Sequence, residues 1–150
     1  MACIPYLYDL IGPKRYLFIS VGKTSIEKVV DFIPLGIGDI MNIRFGDLLP
    51  DDSIDDKVIS NNGDIIKVLA TIVDILKHFT TLNPQAELYF HGTTEDRNNL
   101  YRRIIKNYYP EFSKEFTIAG VFSTENEIHI LTYNPRTDQD YEAFLIKRIF

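Results

Sequence analysis

Leu88-Tyr89-Phe90-His91-Gly92-Thr93-Thr94-Glu95-Asp96-Arg97-Asn98-Asn99-Leu100-Tyr101 reads as a short apolar strand, a Gly-Thr-Thr break, and a helix that opens with charge before turning amphipathic. A strand running directly into a helix, flanked on both sides by hairpin signals, decides the fold class. Upstream, residues 15–21 are rich in β-branched and aromatic types. Gly22-Lys23-Thr24-Ser25 follows as a turn, and a second strand over residues 26–33 stops at Pro34. Met41, Ile43 and Phe45 alternate with Asn42 and Arg44, the period of a half-buried strand.

The first helix is expected after the turn-and-cap cluster Asn61-Asn62-Gly63-Asp64. Ile65, Leu69, Ile72, Val73, Leu76 and Phe79 form its apolar stripe. Ile66, Val68, Ala70 and Ile75 widen the stripe around most of the girth, which describes a central, buried helix. The second helix spans roughly residues 95–109, with Leu100, Tyr101, Ile104, Ile105 and Tyr108 as its stripe and Pro110 as its terminator. Residues 116–122 and 127–133 make a further hairpin, and residues 141–150 read as a last strand, with a short helix as the alternative. The order is roughly βββαβαβββ. That is an α+β domain with one mixed or largely antiparallel sheet and two packed helices.

The length of 150 residues, 45% of them apolar, suits a single globular domain covering 1–150. The best apolar run is interrupted by Lys67, Asp74, Lys77 and His78, so no membrane span is expected. Met1-Ala2-Cys3-Ile4-Pro5 shows no basic region followed by an apolar one, so no signal peptide is expected. Cys3 is the single cysteine, which suits a reducing compartment, and the expected location is cytoplasmic. The net charge of −5 is uneven, because Asp47, Asp51, Asp52, Asp55 and Asp56 alone supply that amount. An acidic total argues against indiscriminate DNA binding. Residues 95–114 nevertheless carry Arg97, Arg102, Arg103, Lys106 and Lys114 against Glu95, Asp96 and Glu111, a local net of +2.

The start of the second helix is therefore the leading site. Backbone N–H groups at a helix start can hold an anion, and here they lie among arginines. A competing reading is ordinary capping: Thr93 or Thr94 can satisfy those N–H groups, Asp96 sits three residues after Thr93 as in a capping box, and Glu95 and Asp96 complement the helix dipole. Arg97 lies one turn before Tyr101 and Ile104, so it points along the buried side, where a guanidinium needs an acidic partner or a ligand.

Other patterns carry less. His78-Phe79-Thr80 and His91-Gly92-Thr93 match the His-x-Thr of two-histidine phosphoesterases, but that chemistry needs both histidines on facing strands and His78 lies in a helix. His91-Gly92-Thr93 also resembles the nicotinamide-gripping motif of ADP-ribosyltransferases, but there the motif opens the catalytic domain and here only 57 residues follow. Gly22-Lys23-Thr24 resembles the end of a P-loop, but Leu17 stands where the first glycine belongs. The aspartates of the acidic loop lack EF-hand spacing, and no metal or cofactor is expected. His129 reads as a surface or packing residue. The tyrosines near the arginine helix suit interfaces or base stacking as well as core packing.

Several blocks carry a resemblance in order along the chain: Phe45-Gly46-Asp47; Ser60-Asn61-Asn62-Gly63-Asp64 with Lys67-Val68-Leu69-Ala70-Thr71; Gly92-Thr93-Thr94 with Arg97 and Leu100-Tyr101; and Tyr141 to Arg148. Together they resemble a family of small uncharacterised bacterial proteins of about this length. The family pattern reads Gly-Ser-Thr-Pro-Ala-Arg before the Leu-Tyr pair, and this chain has Glu95 and Asp96 in place of Pro-Ala. The resemblance implies no activity. It marks Asn62, Asp64, Gly92, Thr93, Thr94, Arg97 and Tyr101 as positions of interest, to which the charge pattern adds Arg102 and Arg103.

The first functional expectation is a binding module that contacts nucleic acid or an acidic or phosphorylated partner through residues 92–103. The alternative is a small enzyme acting on a nucleotide or phosphate ester, with Arg97 clamping phosphate and His91 as acid or base. A third reading is one half of a two-gene pair whose acidic loop, residues 47–56, meets a basic partner protein.

Overall fold

In the computed structural model, residues 3–55, 62–92, 94–137 and 139–150 are described. Twelve elements follow in order: β1 (Tyr8–Ile11), β2 (Arg15–Val21), β3 (Ser25–Pro34), β4 (Ile40–Leu48), β5 (Ile54–Asp55), α1 (Ile65–Leu82), β6 (Glu87–Phe90), α2 (Glu95–Asn107), α3 (Tyr109–Glu115), β7 (Phe116–Thr124), β8 (Glu127–Thr132) and β9 (Ala143–Arg148). The fold is α+β, with one mixed, mostly antiparallel sheet in the strand order β1-β2-β3-β4-β6-β9-β7-β8 and β5 paired to β4. Among the described residues, no helix is long and apolar enough to cross a membrane.

The element order corrects the expected one at three places. A short strand, β1, precedes the anticipated first hairpin, because Tyr8–Ile11 pairs antiparallel along β2 from Tyr8↔Phe18 to Ile11↔Arg15. The stretch expected as an acidic loop contains strand: β4 runs on through Gly46 and Asp47 to Leu48, and β5 pairs back as Asp47↔Asp55 and Leu48↔Ile54. Pro110 does not terminate the second helix. It occupies the first turn of a third helix, where its missing N–H has no intrahelical role. The last strand and the hairpin of residues 116–133 are as expected.

The chain divides into two compact units, Met1–Ile33 with Ile43–Asn83, and Pro34–Asn42 with Pro84–Phe150. In the first, α1 packs through Leu69, Ile72, Ile75, Leu76 and Phe79, all buried. Phe79 stacks face to face on Phe32 of β3 at 3.8 Å between centroids, and Tyr16 of β2 meets Phe32 edge-on. Ile65 and Ile66 are about half exposed, so the first turn of α1 is less enclosed than its apolar girth implies. Lys28, buried in β3, is compensated by a hydrogen-bonded ion pair with Asp47 of β4.

In the second unit, β6, β9 and β7 bring Leu88, Phe90, Phe144, Ile146 and Ile118 to one face through the registers Leu88↔Ile146 and Ile118↔Ile146. Tyr101 and Ile105 of α2 and Phe112 of α3 are buried in the same unit, and Tyr101 meets Phe90 edge-on at 5.7 Å. The first residues of β4, Ile40 to Asn42, run parallel to β6 from Glu87 to Tyr89. Gly120 is required in β7, because a Cβ there would lie 2.2 Å from ring carbons of Tyr141.

Candidate functional site

The strand-to-helix passage between β6 and α2 is built on close contact. A Cβ on Gly92 would lie 2.6 Å from both Arg97 Cβ and Asn98 N, so only glycine lets the chain pass the first turn of α2. The Gly92 N–H donates to Asn98 Oδ1 at 2.7 Å. Thr94 is the N-cap, with extended backbone, and its hydroxyl accepts from Arg97 N at 3.2 Å. Glu95 and Asp96 fill the first turn. Thr93 lies outside the described residues. Thr94 thus takes the Arg97 N–H as the capping reading expects, and Asn98 takes the Gly92 N–H.

The three arginines diverge. Arg97 is 2% exposed, its Cβ pressed against Gly92. Arg102 lies along the flank of α2, where Nε donates to the Tyr141 carbonyl at 2.7 Å and Nη1 donates to Asn99 Oδ1 at 2.6 Å and Glu95 Oε1 at 3.1 Å. Among the described residues, Arg102 Nη2 donates to nothing. Arg103 is exposed. Tyr101 is buried against Phe90 and presents no stacking face to solvent.

Arg102 instead opens onto a cavity of about 220 Å³ within the second unit, lined by Lys106, Tyr133, Thr137, Gln139 and Tyr141 among others. Lys106 is in the last turn of α2, where a cation complements the helix dipole. Tyr133 and Tyr141 are held by each other, at 5.4 Å between centroids, and by Phe144. Burial pushes the Tyr133 phenol up, and neighbouring Tyr141 and Tyr109 add to it, so at neutral pH it keeps its proton. Asp140 brings one acid to the lining. Of these residues, the sequence reading named Arg102 as part of the site. Apart from Lys106, on α2 itself, the missed ones lie roughly 30 to 40 residues downstream, and the only signal pointing to them was Tyr141 at the head of the last resemblance block.

Asn62 and Asp64 belong to the first unit and do structural work there. Asn62 is 5% exposed. Its Oδ1 accepts from Thr24 N at 2.9 Å, while Nδ2 donates to the Thr24 carbonyl at 2.8 Å and Ser20 Oγ at 3.0 Å. Its own carbonyl accepts from Lys23 N at 2.9 Å, so closely that a Cβ on Gly22 would lie 1.8 Å from it. Asp64 stands at the N-cap position of α1 without capping it. Its Oδ2 accepts from Ser20 Oγ at 2.6 Å and Tyr6 Oη at 2.5 Å. Burial raises the Asp64 carboxyl, and the hydrogen bonds from Ser20 and Tyr6 outweigh it, leaving the group below its ordinary value. Ser60 and Asn61 lie outside the described residues.

The histidines do not face each other across strands. Burial pushes the Tyr16 phenol up to about 12, and it lies 2.7 Å from His78 Nδ1 on α1. His91 is exposed and stacked on Tyr89, with ring centroids 6.0 Å apart. His129 lies in β8, stacked on Phe122, with Nε2 at 2.7 Å from Thr124 Oγ1. Of the acidic stretch, Asp47 pairs with Lys28 and Asp51 accepts from Ser53 N and Oγ, while Asp56 lies outside the described residues. Among the described residues, no group of three or more potential metal ligands converges.

Over residues 6–149 the chain matches the family described as "Family of unknown function (DUF6934)", and it belongs to that family. Neither the curated proteins nor the solved structures contain a match to it.

Proposed function

From the geometry of α2, we propose that this protein is a non-enzymatic binding module for phosphate-bearing partners, with nucleic acid as the favoured class. The observation that carries this reading is the stripe Asn99, Arg102, Arg103 and Lys106. At spacings of three, four and seven residues it lies along one face of the helix, beside the cavity that Arg102 and Lys106 line. Arg102 is already oriented by Tyr141, Asn99 and Glu95, so its guanidinium needs little ordering on binding. Tyr133, with its proton retained, adds a hydroxyl donor next to them. The contact surface lies further along α2 than the helix start, where Thr94 caps the Arg97 N–H and Glu95 and Asp96 set negative charge against an incoming anion.

Burial of Tyr101, Tyr133 and Tyr141 removes the flat faces on which bases would stack, so recognition is of backbone phosphate and sequence-tolerant. Fluorescence anisotropy with labelled single-stranded and hairpin nucleic acids, at low and physiological salt, tests this reading. Binding is expected to weaken as salt rises and to be lost in Arg103→Ala/Lys106→Ala. His91→Ala should leave it unchanged. Turnover of a phosphate ester that His91→Ala abolishes would replace the binding reading with the enzymatic one.

A further inference from the structure

The sheet ends in two edges that differ in how they are defended. At one end β1 is four residues long, with Pro5 three positions before it and Gly12-Pro13 directly after it. Short length and proline are standard ways to keep an edge from recruiting another strand. At the other end β8 is six residues long, Glu127-Ile128-His129-Ile130-Leu131-Thr132, and contains neither proline nor lysine. Its register against β7 is unbroken from Thr124↔Glu127 to Ala119↔Thr132, so no bulge twists the edge away. Ile128, Ile130 and Leu131 are 74%, 55% and 54% exposed. Ile128 and Ile130 point to one face and Leu131 to the other, so apolar surface is offered on both sides of a backbone that is open among the described residues.

We propose that β8 is a homodimerisation strand, pairing antiparallel with β8 of a second copy about a twofold axis normal to the sheet. Charge selects this occupant. Exposed Glu125 and Glu127 stand at the start of the strand, and exposed Arg136 follows its end. Antiparallel pairing of two copies sets each acidic end beside the other's basic end, whereas a parallel arrangement would set like charge on like. The acidic end also disfavours nucleic acid along this edge. A twofold axis normal to the sheet keeps each side chain on its own face, so only residues of equal parity oppose one another. Centred on Ile130, the pairing places Ile130 against its counterpart, Ile128 against Thr132, and His129 against Leu131, with no like-charged pair opposed. The interface is isologous and closes at two copies. Ile130 and Thr132 also wall a groove of about 550 Å³ with Ala119 and Leu145, and the second copy's strand extends that apolar face.

Sedimentation equilibrium of the full chain up to about 1 mM is the test. The wild type is expected to be a dimer. Ile130→Lys, which sets two ammonium groups on the axis, is expected to be monomeric with an unchanged circular dichroism spectrum. Arg136→Glu, in an exposed loop away from the core, should raise the dimer Kd about tenfold, a change of about 1.4 kcal/mol, and adding Glu125→Arg to it, at the residue this register sets beside Arg136 of the other copy, should restore the wild-type value. If Ile130→Lys fails to fold, the Arg136→Glu pair decides. A monomeric wild type at about 1 mM, or a dimer with the wild-type Kd in both Ile130→Lys and Arg136→Glu, would overturn the proposal.

Discussion

The starts of α1 and α2 look alike as sequence and are built in opposite ways. Each is a glycine-containing turn followed by polar residues able to cap a helix. At α2, Thr94 caps the helix, and Asn98 reaches back to the Gly92 N–H. The polar groups there serve their own turn. At α1, the residue at the N-cap position turns away: Asp64 takes hydrogen bonds from Ser20 and Tyr6, and Asn62 clamps the β2–β3 turn. Those groups tie together segments 38 to 58 residues apart. A polar cluster before a helix can thus be a local cap or a tertiary clamp, and the two should respond differently to substitution.

The largest contrast is expected at Asn62. Asn62→Ala removes its three side-chain hydrogen bonds, to Thr24 N, the Thr24 carbonyl and Ser20 Oγ, and at about 1 kcal/mol or somewhat more for each should cost roughly 3 to 4 kcal/mol. A chemical-denaturation loss under about 1 kcal/mol would mean that Asn62 is not a clamp. Next comes Arg97, the one buried arginine of α2. Arg97→Ala should cost roughly 3 kcal/mol, while exposed Arg103→Ala stays within about 0.5 kcal/mol. Equal melting temperatures for the two variants would contradict this.

Asp64 sharpens the comparison through pH. Its carboxyl titrates below its unfolded value near 3.8, so its contribution is fully present above that value and is lost as pH falls through the lower folded one. Asp64→Asn should therefore cost about 2 kcal/mol at neutral pH, with its melting temperature converging on that of the wild type as pH falls through the lowered folded value. Parallel curves would show that the charge is not what Ser20 and Tyr6 stabilise. The smallest effect is the local cap: Thr94→Ala should cost about 1 kcal/mol, without acid dependence.

This contrast also shows what could be read from the chain alone. Period and breakers located both β-hairpins, α1, the β6-to-α2 passage and the final strand, because each is a local pattern. Pro110 misled because proline ends one helix and begins another with equal ease. β1 was missed because a four-residue edge strand has too little periodicity to register. Gly92, Thr94 and Arg97 were legible as a tight helix start with a buried cation. The cavity was not, since Tyr133, Thr137, Gln139 and Tyr141 meet Arg102 and Lys106 only through the pairing of β7, β8 and β9. Whether Asn62 and Asp64 would bind a ligand or hold the fold depended on Ser20, Tyr6 and Thr24, and no spacing rule connects those positions.

The most direct test of the account is the salt-dependent anisotropy titration of single-stranded nucleic acid against the wild type and Arg103→Ala/Lys106→Ala, with Thr94→Ala as the helix-start control. The account expects wild-type affinity to fall with salt, the double variant to lose binding while remaining folded, and Thr94→Ala to bind as the wild type does. Loss of binding in Thr94→Ala with binding retained in Arg103→Ala/Lys106→Ala would return the site to the helix start. No binding by the wild type at low salt would contradict the phosphate-binding reading altogether.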